Sequence, residues 1–510
     1  MKKINFIKYG LFASVLTLGF SCSNLDEKVL DGTTLDKADP NAILTSAYNG
    51  LRSIENQDGV YAIDEISADS MLLPTRGGDW GDGGNWLIDH SHTWTPTSRE
   101  INTCWNNTLS GVYSCDLALG IAGLSSEKTA EALFLKSYYY YIAIDFFGQV
   151  PYRPAGSSPD AYPLVWTSAQ ATEQVITWLQ TALPNLPEKT DASFANKDAA
   201  RFLLAKLFLN KAVFESPTHV AGSFNAADMT QVVTYVDQIT AAGKSTLAPD
   251  YWDNFVPTNN NSAEIIFSSK NIRGVSMGPI RARWYAGAHY NQTPSGWNGY
   301  AVMADYYASF DPADRRIKNN DASVIAAFGN PMGMQIGQQY APGGTIALIS
   351  RAQNGSLPLV FTANTIPDSQ TIVNTPDIET AGIRPQKYVP DSANIDAPEN
   401  DYVFFRYADA LLMKAEAIAR GGSGSLGTIA TQLHSRPGIT SPIDLTTLAG
   451  INLERAHELW GEGWRRNDMI RFGTYNNDRL GMHNTDTYRY ILPIPAAALT
   501  NPNIHQNPGY

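Results

Sequence analysis

Two stretches of this 510-residue chain interleave flat aromatic rings with glycine and short polar side chains. The first, Asp69–Trp94, reads DSMLLPTRGGDWGDGGNWLIDHSHTW, and the second, Arg281–Tyr300, reads RARWYAGAHYNQTPSGWNGY. Indole and phenol rings make broad amphipathic contact surfaces, while Asp, Asn and Arg supply directional donors and acceptors. The chemistry on offer is stacking plus hydrogen bonding to a ligand. Glycines let the backbone turn sharply and are expected to carry Trp80 and Trp86 outward. Asp69, Arg76, Asp79, Asp82 and Asn85 are the polar neighbours in the first stretch. Trp284, Tyr285, Tyr290, Trp297 and Tyr300 supply the rings of the second, with Trp284, Tyr290 and Trp297 as its candidate contacts. The competing reading is a pair of loops whose indoles merely cover the helices beneath.

Bond-making chemistry is harder to find. Glu454, Glu458 and Glu462 fall at i, i+4 and i+8 of an expected helix Leu453–Phe472, a like-charge column that destabilises a helix by itself. Arg455, Arg465, Arg466 and Arg471, with Asp468, are placed to neutralise it. No partner at a chemically required spacing completes a catalytic site, so the scaffold reading stands over a carboxylate cluster. His90 and His92 would share one face of a strand, but no third metal ligand has recognisable spacing, and His457-Glu458 lacks a zincin's second histidine. There is no phosphate-loop motif. No catalytic residue, metal ligand or cofactor site is assigned. The acidic loops would permit a structural calcium ion without specifying one. A glycoside hydrolase carries no fixed local motif and stays as the rival from another class.

The elements that must hold these loops are helices. A cap and a helix-start proline, Asp39-Pro40, open Asn41–Asn56. Ile101–Leu124 with Glu127–Phe147, and Thr167–Leu183 with Asp198–Glu215, read as antiparallel pairs; Ala226–Ala242, Tyr407–Arg420 and Leu453–Phe472 follow. Helix pairs recurring in this way predict a mainly α fold, a tetratricopeptide-like scaffold without a clean consensus repeat. Long Gly-, Asn-, Pro- and Trp-rich insertions at about 69–97, 271–300 and 319–400 form an irregular portion, and loops on a rigid scaffold are where binding concentrates.

The chain is 43% apolar and 17% charged, which argues against disorder, and 37 Lys+Arg against 49 Asp+Glu give a net charge of −12. Nucleic acid is a poor partner for so acidic a protein. Residues 1–21 carry Lys2, Lys3 and Lys8 before a short apolar run and read as a signal peptide, too short to span a bilayer. Small residues before Cys22 look like a bacterial lipobox, so Cys22 is the expected lipidation site and 22–38 a tether; 39–510 then form one domain. Cys104 and Cys115 sit in one helical stretch, too far apart for a bridge, and read as buried thiols.

Several motifs resemble the SusD/RagB family of outer-membrane nutrient-binding lipoproteins of Bacteroidetes. Glu454-Arg455, Glu458-Leu459, Glu462-Gly463, Arg465, Asp468 and Arg471-x-Gly473 are similar to the family pattern E-R-x-x-E-L-x-x-E-G-x-R-x-x-D-x-x-R-x-G. Arg406–Leu412 with Ala415-Glu416-Ala417, Asp145–Pro151, and the terminus from Leu492 to Tyr510 agree as well, with Ala498 departing from an often acidic position. Ser23–Glu27 resembles the family's surface-export signal. The resemblance implies a SusD-like fold, placement on the outer face of the outer membrane, and a SusC-like TonB-dependent transporter as partner. It implies capture of an oligosaccharide for import; peptide capture is the alternative. Sugar rings present flat C–H faces to Trp and Tyr, so the resemblance singles out the two aromatic stretches.

Overall fold

The computed structural model describes residues 39–510 except 77–78, 122, 155–156, 159–160, 276–277, 352–354, 365–377 and 485; Cys22 and the rest of the leader lie outside the described residues. Local chemistry starts and stops the helices where hydrogen bonding requires. Thr167 and Gln170 form a reciprocal capping box at the start of Ser168–Ala182. Ser125, Asn196 and Asn225 cap Ser126–Phe147, Lys197–Phe214 and Ala226–Ala242 by accepting from backbone N–H groups one turn in. Packing then runs in sequence order: Pro40–Gly50 lies on Arg99–Leu119, which lies on Ser126–Phe147, followed by Ser168–Ala182, Lys197–Phe214 and Ala226–Ala242. The late helices Tyr407–Ala419 and Leu448–Glu458 extend the stack from Ala226–Ala242. From Ala130 to Phe147 the central helix is almost entirely buried, Tyr138 to Tyr141 included, as befits a helix apolar on all sides. The fold is mainly α and tetratricopeptide-like, with a loop-rich portion attached. Cys104 and Cys115 are free and buried in Arg99–Leu119.

Two expectations change. Asn41–Asn56 divides into Pro40–Gly50 and Arg52–Glu55. Leu453–Phe472 is not one helix but two, Leu448–Glu458 and Arg465–Arg471, separated by a turn in which Gly461 (φ 68°) and Gly463 (φ 77°) occupy the left-handed region. Glu462 therefore leaves the column, and only Glu454 and Glu458 stay one turn apart on a helix. Each carboxylate instead meets cations from other segments. Glu458 contacts Arg406, Arg436 and Arg316 at 3.0, 2.8 and 3.1 Å, Glu462 takes Arg406 and Lys387 at 2.7 and 2.6 Å, and Glu454 takes Arg316 at 2.7 Å. A second cluster joins Arg455 to Asp409 and Asp468, Lys206 to Asp409, and Arg471 to Glu416 and Asp468, all within 2.9 Å. Burial alone would push the Glu458 carboxyl up, yet Arg436, Arg406 and Arg316 together hold it down to about 2. Its folded value lies below its unfolded one, so its contribution is complete at neutral pH and fades as pH falls from about 4.5 through about 2.

Small sheets bind the irregular portion to this frame. Ile265–Ser269 pairs antiparallel with Tyr402–Arg406, and Arg384–Gln386, Met332–Gln335 and Lys318–Asn319 form a three-stranded sheet in that order. Met71–Leu72 pairs antiparallel with Ala301–Val302, Met71 opposite Val302. Val302 bridges onward to Ile383. That short ladder brings the two aromatic stretches side by side.

Candidate functional site

After Met71–Leu72, Arg76 and Asp79 exchange backbone hydrogen bonds of 2.8 and 3.0 Å. Trp80 follows with φ 58°, a left-handed conformation that a bulky residue adopts only under outside constraint. Its indole Nε1 donates to the Trp297 carbonyl at 2.7 Å, and its ring lies 6.3 Å from that of Trp297, tilted by 49°. Tyr285 also stacks against Trp297, at 5.5 Å and 21°. Tyr285, Trp297 and Trp80 thus form a continuous, curving row of rings. Trp297 is 37% exposed and the other two are half-buried.

Polar groups border the row. Tyr285 donates its hydroxyl to Asp396 at 2.9 Å, and burial together with that carboxylate pushes the phenol up to about 12. Tyr290 donates to Asp79, while the Arg351 guanidinium covers its ring at 3.8 Å. Tyr290 therefore acts at the rim, with one ring face already taken. His289 accepts the Asn291 N–H at Nδ1 and donates from Nε2 to Glu379 at 2.7 Å. Burial, aided by Arg384, Arg351 and Arg76, pushes its pKa down to about 3, so it is a neutral structural group. Among the described residues no group of three or more His, Cys, Asp or Glu is arranged to hold a metal ion.

The other expected contacts fall elsewhere. Trp284 is fully buried, because on the short helix Ala282–Tyr285 successive side chains point about 100° apart and Tyr285 takes the outward direction. Trp284 therefore offers no face to a ligand. Trp86, expected outward, is 3% exposed: the helix Asn85–His90 turns it inward, where it forms the floor under Trp80 at 5.7 Å and bonds Asp82. Asn85 donates to the Asp82 carbonyl, and Asp82 itself stays exposed at the rim. Asp69 gives both oxygens to Arg465 at 2.7 Å each and is spent on the scaffold. Arg76 is buried and donates only to backbone carbonyls, so it recognises no ligand hydroxyl. His90 ends a helix rather than lying on a strand, and both it and His92 bond to carbonyls. Trp94 is also buried, on Tyr510. The ring that the sequence-based choice of contacts omitted is Tyr285; its signal was its place between Trp284 and a glycine-rich segment.

A model described as the SusD family matches residues 263–485, and a second, described as starch-binding associating with outer membrane, matches residues 25–209. The chain belongs to the SusD/RagB family. The starch-binding protein SusD of Bacteroides thetaiotaomicron is 24% identical over 98% of this chain and 97% of its own length. Among solved structures, a laminarin-binding SusD-like protein superimposes with a TM-score of 0.67 at 21% identity, covering 92% of this chain and 99% of its own. Surface glycan-binding protein A of Bacteroides thetaiotaomicron, in complex with laminarihexaose, gives 0.64 at 18% identity over 92% and 98%. These structural likenesses establish the SusD-like fold. The residues that carried the family resemblance, from Arg406 and Asp409 to Glu458 and Arg471, are those of the buried ionic clusters, so they are the frame of the SusD fold rather than its ligand contacts.

Proposed function

We propose that this protein is a cell-surface glycan-binding lipoprotein that captures an oligosaccharide and delivers it to a SusC-like TonB-dependent outer-membrane transporter. The observation that carries the reading is the contiguous, partly exposed row Tyr285–Trp297–Trp80, with Asp396 bonded to Tyr285 and the exposed Asp79 and Asp82 flanking Trp80 along the chain. Each sugar ring laid on an indole buries roughly 50–80 Å² of apolar surface, about 1–2 kcal/mol. Two or three such contacts give modest affinity that rises with chain length as further rings engage. The 49° tilt between Trp80 and Trp297 favours a ligand that curves rather than a flat ribbon. Relatives named for starch, laminarin and surface-glycan binding support a binder over a hydrolase. The family description of association with the outer membrane supports the location. Lipidation at Cys22 would tether the protein there, and a multiply acylated cysteine holds firmly.

The test is electrophoresis of the purified protein through gels containing starch, laminarin or xylan, with assay of new reducing ends in parallel. Retardation by at least one glycan without product is expected. Release of reducing ends would make it a hydrolase, and migration unaffected by any glycan alongside retention of peptides would move the reading to peptide capture.

A further inference from the structure

We propose that Arg76 is the positioning residue of the aromatic row, fixing Trp80 against Trp297 without touching the ligand; this rests on reading the row as the ligand site. Arg76 is 4% exposed. Its Nε and Nη2 donate to the Gly299 carbonyl at 3.3 and 3.1 Å, and Nη1 donates to the carbonyls of Ile378 and Ala381 at 2.7 and 3.0 Å. Among the described residues no carboxylate pairs with it. A guanidinium desolvated without a counter-ion is costly, and burial pushes its pKa down to about 9. A purely packing role is met at lower cost by an apolar side chain. What the planar fork adds is direction, since it joins three segments far apart in sequence at fixed angles.

Trp80 depends on that junction. Its indole edge rests on Gly299, the residue whose carbonyl Arg76 holds, and a Cβ built there would stand 2.6 Å from Trp80 Cε2. The Arg76–Asp79 backbone pair aims the chain into the strained Trp80. Arg384 braces the far side: fully buried, it bonds Asn298 Oδ1 at 3.1 and 2.9 Å and the carbonyls of Glu379, Ala381 and Gly382. Segment 297–299 is thus held between two arginines, and Arg76 is the one continuous with Trp80.

The experiment uses the full mature chain with Arg76→Met, Arg76→Lys, Trp80→Ala and Trp297→Ala. Affinity for the glycan that best retards the wild type is measured beside acrylamide quenching of tryptophan emission in the free protein. R76M is expected to bind more than about tenfold more weakly and to show increased quenching, with R76K restoring part of both, since an ammonium reaches fewer carbonyls. Full binding by R76M while W80A and W297A lose binding would overturn the positioning role alone. Full binding by W80A and W297A would overturn the ligand-site reading and the role with it. Should R76M not fold, R76K decides: raised quenching with weakened binding supports the role, and wild-type values of both overturn it.

Discussion

Retention on a glycan gel is expected to vanish when Trp80 and Trp297 are both replaced by alanine. Each ring supplies about 1–2 kcal/mol of stacking, so the pair accounts for roughly 2–4 kcal/mol, a factor of tens to several hundred in affinity. Losses of that size take a modest binder out of the measurable range. Each single variant should weaken binding by about tenfold and leave some retardation with long chains. Thermal stability should change little for W297A, because that ring is already 37% exposed. Trp284→Ala is the contrasting control: it empties a fully buried site, where Trp→Ala costs about 3–5 kcal/mol of stability. Undiminished retention by the double variant would remove the row from any role in capture.

The second large effect concerns the frame. Arg406 bonds Glu264, Glu458 and Glu462 at 2.6 to 3.0 Å inside a fully buried cluster. Arg406→Met takes one cation from three desolvated carboxylates, leaving Arg436, Arg316 and Lys387 to hold them, and removing one partner of a buried pair costs about 3–5 kcal/mol. An ordinary domain is stable by only about 5–15 kcal/mol, so the variant should lose much of its soluble yield. Arg406→Lys restores a charge but not the fork, and recovery should be partial. By contrast, Lys414→Ala removes a pair with an exposed Asp237 and should cost no more than about 0.5–1 kcal/mol. Soluble yield and a denaturant midpoint separate these cases, and an Arg406→Met protein as stable as the wild type would contradict the account of the ionic core.

The contrast between frame and site also explains what the sequence could reveal. Helices such as Ser126–Phe147 and Ala226–Ala242 were legible because cap residues and apolar period are local signals. The break between Leu448–Glu458 and Arg465–Arg471 has a local signal in Gly461 and Gly463 on either side of Glu462, but the four-residue spacing of Glu454, Glu458 and Glu462 also fits an unbroken helix. The site was legible as a pair of segments and only partly as residues. Trp80 and Trp297 keep partly exposed rings, whereas Trp284 is buried and Tyr285 faces outward in its place, because a four-residue helix gives no periodicity from which to read the outward face. Arg76 was open to misreading for a different reason: its partners Gly299, Ile378 and Ala381 are distant carbonyls, and a carbonyl leaves no mark in a sequence.

The central claim is that Tyr285, Trp297 and Trp80 together are the carbohydrate surface. A crystal structure of the protein soaked with an oligosaccharide of the glycan that retards it most tests this directly. The account predicts sugar rings stacked on Trp297 and Trp80, with hydroxyls bonded to the carboxylates at the rim. Well-ordered sugar bound elsewhere, with the Trp297 face left bare, would contradict it.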